Sequence, residues 1–174
     1  YQGPPFRLGY RGWGEPICWL AFGPFATAAA LLVLAPSDQA AVPWGLALML
    51  GSGPALATSL VLFCSHFHQL EEDEAHGKCS PVVRLGTAKA ASLVPWFVAG
   101  TLALEWVPVV HGDWPLTALF GAIGLPAAAA LIRLLRDHHA EPDRIAGSKF
   151  LALRFQTLNG LGLSAGLALG PLLS

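Results

Sequence analysis

The chain has 174 residues, of which 54% are hydrophobic and only 12% charged, where a soluble domain carries about a quarter charged residues. So few charges cannot clothe a soluble globule of this size, and the composition points to an integral membrane protein. Ten basic and eleven acidic residues leave a net charge of −1, which says little in itself because a membrane protein uses its charges by position, and nucleic acid is not an expected partner.

In chain order, residues 1–15 read as a loop, broken by Gly3, Pro4, Pro5, Gly9, Gly12 and Gly14 and charged through Arg7 and Arg11. Apolar stretches follow at 16–35, 43–63, 90–110, 114–135 and 150–173. At a rise of about 1.5 Å per residue, each is long enough to cross a hydrocarbon core about 30 Å thick. The expected fold is therefore all-α, a polytopic transmembrane helical bundle with five spans. Between the spans lie a connector at 36–42 whose only charge is Asp38, the turn His111-Gly112-Asp113, and a polar loop at 136–149.

Trp44, Trp106 and Trp114 fall near span ends, where indole prefers the wet interface. Gly51, Gly53, Gly121, Gly124, Gly160, Gly162, Gly166 and Gly170 lie within spans and suit close helix packing. Cys18, Cys64 and Cys79 have no metal-ligand spacing and read as reduced thiols. Glu105 is the one acid inside a span, expected to snorkel to the interface or to pair within the bundle. Gln156 and Asn159 are expected to bond between helices.

Orientation follows from counting lysines and arginines loop by loop. Residues 1–15 hold Arg7 and Arg11; residues 64–89 hold Lys78, Arg84 and Lys89; residues 133–154 hold Arg133, Arg136, Arg144, Lys149 and Arg154; the remaining connectors hold none. Five spans then put these three segments on the cytoplasmic side, or the equivalent plastid side.

The densest polar stretch is Ser65–Gly86, SHFHQLEEDEAHGKCSPVVRLG, with the consecutive acids Glu71, Glu72, Asp73 and Glu74. If the second span continues as a helix beyond the membrane, residues three and four apart share a face, and Ser65, His66, Gln69, Glu72 and Asp73 form one polar stripe. Oxygen donors of this kind suit Mg²⁺, which takes only one or two protein carboxylates and completes its shell with water and phosphate oxygens. Lys78 and Arg84 beyond them can neutralise phosphate charge. The competing reading is an ordinary solvated loop. His66 and His68, two apart, point to different helix faces and do not form a zinc pair. His66 shares the Asp73 face, where it can bond a substrate or a carboxylate; His68 reads as interfacial.

This stretch, together with YQGPPFRLGYRGWGE at the start, resembles the C-terminal half of the UbiA-superfamily intramembrane aromatic prenyltransferases, over essentially the whole chain. The resemblance is to the cyanobacterial and plastid type that attaches a phytyl chain to dihydroxynaphthoate on the way to phylloquinone. It implies Mg²⁺, a prenyl (phytyl) diphosphate and a dihydroxynaphthoate as partners inside a lipid bilayer. The family's second aspartate-rich motif falls on Gln69 and Asp73, with Gln69 in place of an aspartate and Glu71 and Glu72 as neighbouring charges. By this resemblance Asp73, Glu72 and Gln69 are the metal ligands. Asp73, Glu72 and Arg7 are the catalytic residues; Arg7, Tyr10, Lys78 and Arg84 bind diphosphate, and His66 and Ser65 contact substrate. The family's first motif has no counterpart here, as expected of the last five of nine helices, and such a part alone is expected to be inactive.

Two alternatives stay open: a prenyltransferase acting on homogentisate or hydroxybenzoate, and a non-enzymatic membrane subunit or transporter, for which no internal repeat is visible. A reporter fused after Ser174 should read on the non-cytoplasmic side of the membrane; a cytoplasmic signal would refute the five-span orientation.

Overall fold

A computed structural model of the protein describes residues 2–34 and 42–173. Asp38 lies outside the described residues. Among them every regular element is helical, as the hydrocarbon core demands: a helix satisfies its backbone polar groups internally, and an open strand does not. After a 3₁₀ turn at Leu8–Arg11 come α1 (Gly14–Leu34), α2 (Trp44–Ser65), the short α3 (Leu70–Ala75) and α4 (Pro81–Leu85), α5 (Thr87–Val110), α6 (Leu116–His138) and α7 (Ser148–Leu173). Four of these, α1, α2, α5 and α6, are long and apolar enough to cross a membrane. The 26-residue α7 is long enough, but Gln156, Thr157 and Asn159 make it less apolar. The protein is an integral, multi-pass membrane protein.

The ends of the elements differ from the apolar stretches in two places that matter. α1 starts at Gly14, so Glu15 belongs to its first turn and not to a loop. α6 runs on to His138, so Arg133 and Arg136 ride on helix instead of loop.

Two of the helices are locally irregular. Residues Ala21–Phe25 of α1 form a π turn around Pro24, whose missing N–H breaks the regular ladder. Leu116–Gly124 of α6 is 3₁₀, and it is there that α7 packs most closely. Every glycine singled out from the sequence except Gly160 sits against a neighbouring element. Along α7, a Cβ on Gly162 would overlap the Phe120 carbonyl, on Gly166 the Thr117 carbonyl and on Gly170 the Pro115 ring. Thr117 Oγ1 donates to the Gly166 carbonyl at 2.6 Å. Gly23 and Gly51 allow the same approach between α1 and α2.

The main core joins α2, α5, α6 and α7 through Leu60, Phe63, Val94, Leu131, Leu135 and Phe155, with Phe67 and Ile145 closing one end. A second cluster at the opposite end holds Val109, Trp114, Ala118 and Leu163. Trp114 is thus a core residue and not an interfacial anchor: the turn after α5 folds it back, its backbone N–H donating to the Pro108 carbonyl at 3.2 Å. Glu105 is fully buried and pairs within the bundle, accepting a hydrogen bond from Asn159 Nδ2 at 2.8 Å. Asn159 also donates to the Gly121 carbonyl at 3.2 Å, so one pair ties α5, α6 and α7. Gly53 and Gly121 leave the room that the Glu105 carboxylate occupies.

Gly166→Leu should force α7 off the 3₁₀ segment and cost roughly 1–3 kcal/mol or more, as overpacking does. Gly160→Ala, where a Cβ meets open space, should be neutral or stabilise by about 0.4–1 kcal/mol. Thermal unfolding of the two variants in detergent micelles should move in opposite directions; equal shifts would refute the packing account.

Candidate functional site

The N-terminal turn and the acidic stretch meet at one end of the bundle. α2 stops at Ser65, and a turn through His66–Gln69 leads into α3, with His66 N–H bonding to Phe63 O and His68 N–H to Ser65 O, each at 3.2 Å. The continuous polar stripe expected from a helix running through residues 65–73 is therefore not formed. The chain folds back instead, bringing Asp73 over His66. Lys78 N–H then bonds to the Asp73 carbonyl at 2.8 Å, next to Gly77 in the left-handed region (φ 66). Cys79 N–H donates to the Tyr10 carbonyl at 2.9 Å, clipping the loop after α3 to the N-terminal turn.

Asp73 is buried and doubly engaged. Lys78 Nζ donates to its Oδ1 at 2.9 Å, and His66 Nδ1 lies 3.2 Å from its Oδ2. On the far side of the imidazole, Nε2 lies 3.2 Å from Oε1 of Glu15, itself 9% exposed. That last contact is close but is not an aligned hydrogen bond, because Glu15 Oε1 has no donor in line. Glu15 is the site residue that sequence reasoning missed; the available signal was an acid in the first turn of an apolar helix, where the helix dipole favours it.

Around Asp73 opens a polar pocket of about 370 Å³, lined by Gln2, Tyr10, Gln69, Glu72, Asp73, His76 and Lys78. It gathers five expected site residues: Tyr10, Gln69, Glu72, Asp73 and Lys78. Arg7 stands at its edge, exposed, with a left-handed backbone (φ 45) and its guanidinium 4.1 Å from the centre of the Tyr10 ring. Arg84 is exposed outside the pocket and runs beside Gly12. Ser65 faces elsewhere: its hydroxyl donates to the Leu62 carbonyl at 2.6 Å, and it lines a separate apolar cavity of about 650 Å³ between α1, α2 and α7. Ile17, Phe22, Val61 and Leu62 supply most of that wall, with Gln156 as a polar member. Glu71 turns away toward His68 and His139.

Among the described residues no three His, Cys, Asp or Glu side chains form a cluster able to hold a metal alone. What the pocket offers is the Glu72 carboxylate and the Gln69 amide beside an Asp73 already held by the Lys78 ammonium and the His66 imidazole. These hard oxygen donors fit a Mg²⁺ that takes one or two protein ligands and fills its shell with diphosphate oxygens. They do not fit a metal caged by protein.

His68, in the turn after α2, bonds through Nε2 with Ser148 Oγ at 3.1 Å. Burial holds its pKa below the usual histidine value, and the nearby Lys149 charge adds to this. A depressed folded-state pKa makes this contribution to stability fully present above the unfolded value, near about 6.5, and lost as pH falls through the folded value. Thermal stability should therefore drop on acidification below about pH 6 less steeply in His68→Gln than in the parent protein; equal pH dependence would refute this.

The UbiA prenyltransferase family model matches residues 1–172. The chain is 39% identical over 166 residues to the 2-carboxy-1,4-naphthoquinone phytyltransferase of Synechocystis sp., covering 95% of this chain and 52% of that protein. It is 41% identical over 172 residues to the chloroplastic 2-carboxy-1,4-naphthoquinone phytyltransferase of Arabidopsis thaliana, covering 97% of this chain and 45% of that protein. The chain thus spans about half the length of these relatives. No solved structure matches it.

Proposed function

Because the chain belongs to the UbiA prenyltransferase family, we propose that it carries the second diphosphate-binding half of an enzyme that transfers a phytyl group from phytyl diphosphate to a dihydroxynaphthoate in quinone biosynthesis. The observation that carries this reading is the clip between Tyr10 and Cys79, which joins the two family-like motifs around one polar pocket. Both relatives are named phytyltransferases of 2-carboxy-1,4-naphthoquinone, the oxidised form of that acceptor, which supports the same transferred group and the same carboxylated ring system.

In this reading the five long helices are the C-terminal part of a nine-helix domain in a cyanobacterial or plastid membrane, with the acidic stretch on the cytoplasmic or stromal side. Asp73, Glu72 and Gln69 are the metal-facing donors. Lys78 and Tyr10 face the diphosphate from within the pocket, Arg7 reaches it from the rim, and Arg84 adds positive charge from outside. An arginine fork suits paired phosphate oxygens. Mg²⁺, when bound, would neutralise the charge that builds on the departing diphosphate.

The remaining work falls to the chain's own residues. The bond between the first prenyl carbon and its oxygen breaks, both electrons leaving with the diphosphate, which Lys78 and Arg7 stabilise electrostatically. The apolar cavity beside α1 keeps water from the allylic cation. The acceptor ring carbon that bears the carboxylate then forms the new carbon–carbon bond, and carbon dioxide departs from that same carbon, its bonding pair restoring the aromatic ring.

In the full-length protein, Asp73→Ala should lower Mg²⁺-dependent phytyl transfer by roughly 10²-fold or more while the protein stays inserted and folded. Wild-type turnover by that variant would refute the site.

A further inference from the structure

Glu15 is the acid that the proposed chemistry leaves unused, although it is withdrawn from water next to the pocket. Its carboxylate touches none of the pocket and instead backs His66, with Oε1 3.2 Å from Nε2. The other ring nitrogen, Nδ1, lies 3.2 Å from Asp73 Oδ2. Both nitrogens face carboxylates at 3.2 Å, so what the imidazole does for the pocket it does through Asp73. The backbone around Glu15 is pinned as well: Ser59 Oγ of α2 donates to the Glu15 carbonyl at 3.3 Å.

Asp73 needs such support. It sits on the six-residue α3, between the turn at His66–Gln69 and Gly77, and a helix that short has little stability of its own. Lys78, five residues further on, lies on the same excursion of the chain between α2 and α5, so its bond does not tie the carboxylate to a long helix. His66 joins Asp73 to the end of α2, and Glu15 joins His66 to the first turn of α1, whose Gly14 and Ile17 wall the apolar cavity.

We propose that Glu15 and His66 are positioning residues for Asp73, which set the direction in which its carboxylate enters the polar pocket and tie that direction to the helix walling the apolar cavity. This rests on the reading of the pocket as a diphosphate site. Partners that orient a metal- or anion-binding carboxylate typically matter by about 10–100-fold when removed.

The test is a set of variants of the full-length protein assayed with phytyl diphosphate, the dihydroxynaphthoate acceptor and Mg²⁺. Glu15→Ala should lower kcat/KM by roughly 10–100-fold, mainly through a higher KM for phytyl diphosphate. The KM for the acceptor should stay within about twofold. Glu15→Gln keeps an oxygen for His66 Nε2 and should recover most of the loss. Added to Asp73→Asn, Glu15→Ala should cost less than about twofold more, because the group it positions is already gone.

Wild-type kinetics in Glu15→Ala would overturn the proposal. So would a loss spread equally over both substrates that multiplies fully with Asp73→Asn, since that is a general structural role. If Glu15→Ala does not insert, His66→Gln paired with Asp73→Asn runs the same cycle with the same two outcomes. Normal activity in Asp73→Asn sinks the diphosphate reading itself, whereas a defective Asp73→Asn beside a normal Glu15→Ala sinks this proposal alone.

Discussion

A carboxylate drawn out of water at the end of a membrane helix needs a positive partner and further polar contacts close by, because desolvating an unpaired charge costs several kcal/mol. Asp73 has Lys78 at 2.9 Å and His66 at 3.2 Å, and much of this end of the molecule follows from satisfying it. To reach His66 the chain must leave the helical path at Ser65, turn, and fold α3 back over the end of α2. To reach Lys78 it must turn again at Gly77. That second turn delivers Cys79 to Tyr10 and so brings the N-terminal segment, far away in sequence, to the same pocket.

The bundle below this end is built for close approach. α7 lays Gly162, Gly166 and Gly170 against carbonyls and a proline ring of the 3₁₀ half of α6, a contact that in a lipid environment rests on packing more than on hydrophobic expulsion. Its polar counterpart is Glu105 with Asn159, a carboxylate and an amide buried together where Gly53 and Gly121 leave space. The polar pocket is walled by the N-terminal turn, the turn after α2 and α3, and the apolar cavity by α1, α2 and α7, so the two have chemically distinct walls.

Much of this was legible in the chain. Composition and the length of the apolar stretches specify a helical membrane bundle, and the glycine positions mark its close contacts. The motif residues Tyr10, Gln69, Glu72, Asp73 and Lys78 do share one pocket. Other details were not legible, and each for a physical reason. The His66–Asp73 pairing was anticipated from helical spacing, yet it arises from a chain reversal that spacing does not encode. Ser65, next to His66 in sequence, faces the apolar cavity because the helix ends between them. Trp114 follows the sequence rule for an interfacial indole but is folded into the core by the turn after α5.

By itself the sequence determined what can be summed locally: hydrophobic length, loop charge, and the residue types able to meet a diphosphate. Only the tertiary structure decided which of them face one another. Glu15 and His66 are 51 residues apart and Tyr10 and Cys79 are 69 apart, and no local preference carries information over such distances. What joins them is the crossing of α1 on α2 at Gly23 and Gly51 together with the reversal after Ser65. These fix the pocket because polar groups at a membrane boundary find their partners in space, wherever the chain happens to bring them.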